Sequence, residues 1–197
     1  MPRSRVTGVV LAAGVSRRLG TPKQLLPFGD TTVLDATLDV ARSCPFDQLI
    51  VTLGGAAPVV RETVKFDGID VVIADNHESG CSSSLRTALS RVDPSADGIV
   101  VMLGDQPGVT RESVARLIDS RRGAPITVCR YSDGIGHPFW LSRKVFGELA
   151  ELHGDKGVWR LIESGRFHVQ QVPIARIVPL DVDTWDDYQR LLESVAQ

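Results

Sequence analysis

Short apolar runs in this chain alternate with stretches whose apolar residues recur every three or four positions. The runs predict buried strands, namely Val6–Ala12, Gln48–Leu53, Ile69–Ala74 and Gly98–Leu103. The periodic stretches predict amphipathic helices, namely Thr32–Ala41, Pro58–Phe66, Ser82–Val92 and Arg111–Arg122. Strand and helix therefore alternate as far as Arg122, which is typical of βαβ units that build a mostly parallel sheet with helices on both faces.

The strict alternation ends after Arg122. Further strands are predicted over Ile126–Tyr131, Pro138–Leu141, Phe167–Val172 and Ala175–Leu180. Further helices are predicted over Lys144–Leu152, Val158–Glu163 and Trp185–Val195. Because strands now follow one another without a helix, we expect a mixed sheet. The length of 197 residues suits one α/β domain over residues 1–197.

Composition narrows the class of protein. A net charge of −2 argues against a generally basic surface that binds nucleic acid. The three cysteines are odd in number and form no C-x-x-C pair, which disfavours a disulfide framework and a thiolate zinc site. No apolar run approaches the roughly 18 residues that a membrane helix needs. We expect a cytoplasmic protein with no membrane partner.

Three unusual loops follow predicted strands, at residues 12–23, 75–84 and 104–108. Ligands of open α/β sheets bind at the carboxyl ends of the strands. The first loop begins with small residues that allow backbone N–H groups to approach an anion, and it continues with Arg17, Arg18 and Lys23. Its glycine spacing fits neither a Walker A loop nor G-x-G-x-x-G. It is either a triphosphate-binding loop or an ordinary solvated loop.

Residues 11–27, L-A-A-G-V-S-R-R-L-G-T-P-K-Q-L-L-P, resemble the nucleotide-binding signature of the MobA-like nucleotidyltransferases. The resemblance is strongest to the molybdenum cofactor cytidylyltransferases. It continues through four shorter stretches, at residues 104–107, 136–138, 154–157 and 181–184. It implies a Rossmann-like, glycosyltransferase-A-like fold, which is a three-layer α/β/α sandwich with a mostly parallel mixed sheet.

The resemblance also implies which residues bind the nucleotide. Its loop residues would cradle the ligand, namely Leu11, Ala12, Ala13, Gly14 and Ser16. Arg17 and Lys23 would neutralise the phosphates and act as the main electrostatic catalysts, with Arg18 beside them. Gly80, Ser82 and Ser83 would face the nucleobase, although serines at this position could simply cap a helix.

A magnesium site is implied at two separate places in the chain. Asp105 follows a buried strand, and Mg²⁺ usually takes only one or two protein carboxylates. The second carboxylate would be Asp183, with Asp181 as the alternative. The competing interpretations are a turn aspartate before Pro107 and a helix cap at Asp183. Trp185 replaces the proline that is usual in the family, which leaves the choice between the two aspartates open.

The acceptor side would include His137 and Lys156. L-A-A-G, with Ala13, is typical of the cytidylyl branch, so CTP is the favoured nucleotide. The implied reaction transfers CMP to a molybdopterin-type acceptor with release of pyrophosphate, and a molybdoenzyme could receive the product. Two alternatives remain. One is a nucleotidyltransferase of the same fold that uses another nucleoside triphosphate or another phosphorylated acceptor. The other is a nucleotide-binding accessory protein or a redox protein.

Overall fold

A computed structural model describes residues 4–14, 16–74, 81–154 and 156–195, with the backbone alone at Cys81. Its strands are β1 (Val6–Ala12), β2 (Pro27–Phe28), β3 (Thr31–Thr32), β4 (Gln48–Leu53), β5 (Asp70–Ile73), β6 (Gly98–Leu103), β7 (Ile126–Arg130), β8 (Ile135–Ser142) and β9 (Val169–Pro173). Its α-helices are α1 (Val33–Ser43), α2 (Ala57–Thr63), α3 (Cys81–Leu89), α4 (Arg111–Ser120), α5 (Phe146–Ala150), α6 (Gly157–Glu163) and α7 (Trp185–Val195). No helix within these ranges combines the length and apolar character needed to cross a membrane.

Seven strands form one sheet in the order β5-β4-β1-β6-β8-β7-β9. The central strand β1 pairs in parallel with β4 and β6, and all seven of its residues are buried. Strand β8 lies antiparallel to both β6 and β7, while β7 and β9 are parallel. The sheet is therefore mostly parallel and mixed, as predicted. Because β1 and β6 run in the same direction, the loops that follow them meet at one edge.

Two hydrophobic cores lie on opposite faces of this sheet. Alternate residues of β1 point to different faces, so Val10 packs in one core and Val9 in the other. The first core contains residues of α1, α2 and α4, such as Leu38 and Leu117. The second contains residues of α3, α5 and α6, such as Leu85. This arrangement confirms the three-layer α/β/α fold.

A third, smaller cluster attaches α7 to the loop that follows β1. Leu191 and Tyr188 of α7 pack with Leu19 and Leu26, and the Tyr188 hydroxyl donates to the Pro27 carbonyl at 2.7 Å. The cluster also includes the fully buried Val182. Since Val182 lies between Asp181 and Asp183, its burial fixes both carboxylates near the edge where β1 and β6 end.

The predicted strand over Ala175–Leu180 is wrong. The Ile174 N–H still bonds to the Arg130 carbonyl, but the Val178 N–H is taken by the Asp133 side chain, and Pro179 has no N–H to donate. Residues 174–182 instead form an irregular segment, called the strap below. The helix predicted over Lys144–Leu152 is also shorter than expected, because a 3₁₀ turn at Arg143–Val145 precedes α5.

Candidate functional site

The loop after β1 folds back so that Lys23 contacts Ser16 near its beginning. Leu11, Ala12 and Ala13 are buried, whereas Gly14 is exposed. Ser16 adopts a φ of 49°, and its hydroxyl accepts a hydrogen bond from the Lys23 N–H at 2.9 Å. This bond closes the loop and fixes the backbone of Lys23. The Lys23 side chain then passes beneath Gly14, where Lys23 Cε lies 3.5 Å from the position a Cβ would take.

Gln24 fixes the same loop from inside the protein. Only 3% of its surface is exposed, and its side-chain amide donates to the carbonyls of Ala12 and Gly14 at 2.7 and 3.1 Å. Sequence reasoning did not single out this residue. The feature of the sequence that could have identified Gln24 is its place in the K-Q-L-L stretch of the family pattern.

Gly104 allows the loops after β1 and β6 to touch. A Cβ on Gly104 would lie 2.7 Å from the Cβ of Ala12 and 3.1 Å from a methyl carbon of Leu34. Real Cβ atoms do not tolerate such a distance, so only glycine fits here. The close approach places the next residue, Asp105, beside the β1 loop.

The Lys23 ammonium lies between two carboxylates that come from distant parts of the chain. Its Nζ donates to Asp105 Oδ2 at 2.5 Å and to Asp183 Oδ1 at 2.9 Å. The side chains of Lys23 and Asp105 are only 14% and 13% exposed, whereas that of Asp183 is 46% exposed. Burial alone would lower the pKa of Lys23, but Asp105 and then Asp183 outweigh it and hold this pKa above its ordinary value. The ammonium is therefore charged.

The two arginines of the loop lie on its outer side. Arg18 Nη2 donates to Asp183 Oδ2 at 2.8 Å, and the Arg18 side chain is 64% exposed. Partial burial would raise the pKa of Asp183, but Lys23 and Arg18 keep it below its ordinary value. The side chain of Arg17 is exposed. The loop thus carries a cationic outer surface beside the exposed Gly14.

Asp181 is held by a different partner. The side-chain amide of Gln106 donates to Asp181 Oδ1 and, at 3.2 Å, to the Pro179 carbonyl. Partial burial, together with the negative charges of Asp105 and Asp183, raises the pKa of Asp181 to about 6. Gln106 was not among the predicted site residues, although it stands in the Gly-Asp-Gln-Pro stretch of the family pattern.

Helix α7 is capped by Thr184 rather than by Asp183. The Thr184 hydroxyl accepts from the Asp187 N–H at 3.2 Å, and the Asp187 carboxylate accepts from the Thr184 N–H at 2.9 Å. This reciprocal pair satisfies the start of the helix. The Asp183 carboxylate is therefore not needed as a cap and faces Lys23 instead.

The donor set suits a metal ion that takes few protein ligands. Asp105 and Asp183 both lie within hydrogen-bond distance of one cationic nitrogen, so together they already bind a positive charge. Among the described residues there is no group of three or more His, Cys, Asp or Glu side chains placed to hold a metal. Mg²⁺ commonly uses one or two carboxylates and completes its octahedron with water and substrate phosphates. The two carboxylates fit that pattern, whereas a closed structural site would need more ligands.

The structure describes only part of the predicted nucleobase loop, because Gly80 lies outside the described residues. Ser82 and Ser83 are buried, with 2% and 5% of their surface exposed. The Ser82 hydroxyl donates to the Gly154 carbonyl at 2.5 Å, which ties the start of α3 to the loop before α6. Their contact with a nucleobase stays a prediction.

The two acceptor-side residues lie in different surroundings. His137 is at the start of β8, which runs antiparallel to β6, so it lies at the same edge of the sheet as Asp105. Its ring stacks on Phe139 with centroids 4.0 Å apart and meets Trp159 edge-on. Burial lowers the pKa of His137 to about 3, so the imidazole is neutral at physiological pH. Lys156 is exposed and directly precedes α6.

The β1 loop, a largely buried lysine side chain and two facing carboxylates thus meet at the carboxyl ends of β1 and β6. The family model described as the MobA-like NTP transferase domain matches residues 8–172. The chain belongs to the MobA-like NTP transferase family. This MobA-like domain contains Lys23 and Asp105, whereas Asp183 lies beyond the matched range.

Solved structures and a characterised protein extend this comparison. The chain is 71% identical to the Rv0371c homologue from Mycobacterium sp. strain JC1, with 98% of each chain covered and a TM-score of 0.95. It is 61% identical to Rv0371c of Mycobacterium tuberculosis H37Rv, whose structure is a complex with manganese; 97% of this chain and 100% of that chain are covered, with a TM-score of 0.89. It is 29% identical to nicotine blue oxidoreductase of Paenarthrobacter nicotinovorans, over 95% of this chain and 96% of that protein. The manganese complex supports a divalent metal ion in this MobA-like family.

Proposed function

We propose that this protein is a magnesium-dependent nucleotidyltransferase that transfers CMP from CTP to the terminal phosphate of a molybdopterin-type acceptor and releases pyrophosphate. The observation that carries the proposal is the constellation of Lys23, Asp105 and Asp183 at the end of β1 and β6. A site that only bound a nucleotide would not need a largely buried lysine side chain with two carboxylates around it. The reaction, by contrast, needs charges of both signs next to the phosphates.

The chain's own groups have separate tasks in this reaction. The backbone of the β1 loop, held by Gln24, would bind the triphosphate through its N–H groups. Lys23 and Arg17 would offset the negative charge that develops on the departing pyrophosphate, with Arg18 nearby. Asp105 and Asp183 would hold Mg²⁺, whose chemistry here is to neutralise and orient the phosphates.

The acceptor needs little help from a general base. A phosphate monoester has a second pKa near 6, so it is largely ionised at neutral pH and can attack without losing a proton. The neutral His137 suits a role in binding rather than in proton transfer, because its pKa of about 3 keeps it unprotonated during turnover. Lys156 would bind an acceptor phosphate. The choice of CTP rests on Ala13 in the L-A-A-G stretch.

The test is pyrophosphate release from CTP, GTP, ATP and UTP, each with and without molybdopterin cofactor. We expect release with CTP and Mg²⁺ only when the acceptor is present. Lys23→Ala should lower turnover by about two orders of magnitude or more, since one fixed donor to a developing charge is commonly worth that much. Lys144→Ala, which removes an exposed lysine within the 3₁₀ turn, is the matched control and should keep full turnover. Release with a different nucleotide or with a sugar phosphate would change the substrate but keep the transferase. Turnover that survives in Lys23→Ala would remove the phosphate role of this residue.

The similarity to a protein named as an oxidoreductase defines a second candidate, a redox protein of the same fold. Cys44 and Cys129 do not favour it through thiol chemistry, because burial raises their pKa values to about 11 and about 12. The discriminating assay replaces the triphosphate with NADH or NADPH and a quinoid dye. Oxidation of the nicotinamide without any pyrophosphate release would favour the redox candidate over the transferase.

A further inference from the structure

We propose that the Lys23 ammonium is the resident counterion of the Asp105 and Asp183 carboxylates, and that a divalent metal ion binds them only by displacing it. The proposal rests on the metal site proposed above. It adds a competition between a side chain and the metal for the same two carboxylates.

The Lys23 ammonium already bridges the two candidate metal ligands. Lys23 Nζ lies 2.5 Å from Asp105 Oδ2 and 2.9 Å from Asp183 Oδ1, so one nitrogen bridges both carboxylates. Mg²⁺ binds carboxylate oxygens at about 2.0–2.1 Å. An ion that bridged these two oxygens would need the space that the ammonium fills. Its positive charge would also repel the ammonium at close range. The two cations cannot occupy this bridging position together.

The side chain of Lys23 can move although its backbone is fixed. The backbone of Lys23 is fixed by the Ser16 hydroxyl, and the next residue, Gln24, is held inside the protein by the carbonyls of Ala12 and Gly14. Only the flexible four-carbon side chain is left to change position. Above it lies exposed Gly14, which carries no side chain. The displaced ammonium would move toward this loop, where the phosphates of a nucleotide would accept it.

The competition predicts opposite effects on catalysis and on metal binding when Lys23 is replaced. Removing the charge of Lys23 should weaken catalysis but strengthen metal binding in the absence of nucleotide, because the metal then faces two carboxylates with no cation to expel. A lysine that merely neutralised phosphates would leave nucleotide-free metal binding unchanged. If Lys23 only held the site together, its removal would weaken metal binding in the absence of nucleotide.

The experiment measures Mn²⁺ binding to nucleotide-free protein by electron paramagnetic resonance and by titration calorimetry. We expect Lys23→Met to bind Mn²⁺ roughly tenfold more tightly than the unsubstituted protein, which corresponds to about 1.4 kcal/mol. We also expect Mn²⁺ to raise the melting temperature more in Lys23→Met, because this variant has lost its internal counterion.

Arg18→Met is the matched control. It removes one positive charge from the same carboxylate, since Arg18 Nη2 bonds to Asp183 Oδ2 at 2.8 Å, but from a side chain that is 64% exposed. Exposed pairs interact weakly, so we expect Mn²⁺ affinity to change less than about threefold. If Mn²⁺ affinity rose equally in Lys23→Met and Arg18→Met, the cause would be the loss of any nearby positive charge. That result would overturn the displacement.

Asp105→Asn separates this proposal from the metal site on which it rests. We expect it to weaken Mn²⁺ binding strongly, both alone and combined with Lys23→Met. If Asp105→Asn weakens binding but Lys23→Met binds Mn²⁺ no better than the unsubstituted protein, the metal site stands and the displacement is overturned. If Asp105→Asn leaves Mn²⁺ binding unchanged, the metal site itself is wrong and the displacement falls with it.

Discussion

The Gln106 side chain lies inside the protein, with 2% of its surface exposed, yet its amide donates to the carboxylate of Asp181 in the strap. The same amide reaches the carbonyl of Pro179 at 3.2 Å. One buried side chain next to Asp105 therefore fixes the segment that leads to Asp183. Asp105 directly precedes Gln106 in the chain, and Asp181 lies two residues before Asp183. The hydrogen bond from Gln106 to Asp181 therefore links the two candidate metal ligands, Asp105 and Asp183.

Replacing Gln106 should loosen the strap. We expect Gln106→Leu to lower the free energy of unfolding by about 1–3 kcal/mol, because it removes two hydrogen bonds, to Asp181 and Pro179, that are each worth about 0.5–1.5 kcal/mol. Mn²⁺ affinity should fall several-fold in the folded variant, since Asp183 would no longer be held in place. Urea denaturation and Mn²⁺ titration measure the two effects. Gln189→Leu, on the exposed face of α7, is the control and should change neither quantity. Unchanged Mn²⁺ affinity in Gln106→Leu would show that the strap needs no such support.

The three carboxylates of the site should differ in importance. We expect Asp105→Asn and Asp183→Asn to lower turnover by about a hundredfold or more, because both carboxylates surround the cation position. Asp181→Asn should lower it less than about tenfold, since Asp181 bonds to Gln106 instead of Lys23. Pyrophosphate release under saturating CTP measures turnover, and circular dichroism checks the fold. A larger loss in Asp181→Asn than in Asp183→Asn would exchange the two assignments.

Gly104 should not accept even a methyl group. Alanine there would bring its Cβ to 2.7 Å from Ala12 Cβ, so we expect Gly104→Ala to lower the free energy of unfolding by about 1–3 kcal/mol. Turnover should fall as well, because the β1 and β6 loops must separate. Gly147→Ala is a matched control within α5, where no atom lies within 4 Å of the added Cβ. It should stabilise the protein by about 0.5–1 kcal/mol. Thermal unfolding of both variants distinguishes crowding from a general effect of removing glycine.

His137 should make the protein sensitive to acid. Its pKa is lowered by burial from 6.5 to about 3, so the unfolded chain binds a proton at pH 5 that the folded protein does not. The stability that depends on a neutral His137 is present above pH 6.5 and is lost as the pH falls toward 3. We expect the free energy of unfolding to drop between pH 7.5 and pH 5 by at most about 2 kcal/mol more than in His137→Gln. Parallel pH dependence in the two proteins, measured by urea denaturation, would contradict a neutral imidazole in the folded protein.

Much of the fold was predictable because its central strands are continuous apolar runs. The predicted bounds of Val6–Ala12, Gln48–Leu53 and Gly98–Leu103 agree with β1, β4 and β6. The strap was mistaken for a strand because Val178 and its neighbours are apolar, although Val178 packs beside Gly136 of β8 and against the first core rather than pairing in the sheet. Sequence pattern reports burial more directly than it reports hydrogen-bond partners.

The candidate site was predictable in its residue types but not in its internal contacts. Lys23, Asp105 and Asp183 could be named from the resemblance, with the lysine assigned to phosphate and both aspartates to one magnesium ion. The structure joins them to one another instead, and this pairing depends on side-chain directions that no linear motif encodes. Gln24 and Gln106 were overlooked for a related reason, since a buried amide is identified by its partners rather than by its type.

The separation of the paired residues has a consequence for synthesis on the ribosome. Asp105 follows Lys23 by 82 residues and Asp183 follows it by 160. A growing chain could therefore form the sheet around β1 and the first ion pair long before its second carboxylate exists. Only after α7 has emerged and packed on Leu19 and Leu26 is the cation position closed on both sides. A chain that stalls before the strap would keep the β1 loop but lack one of the two candidate metal ligands, so under the proposed function unfinished copies would not consume triphosphate.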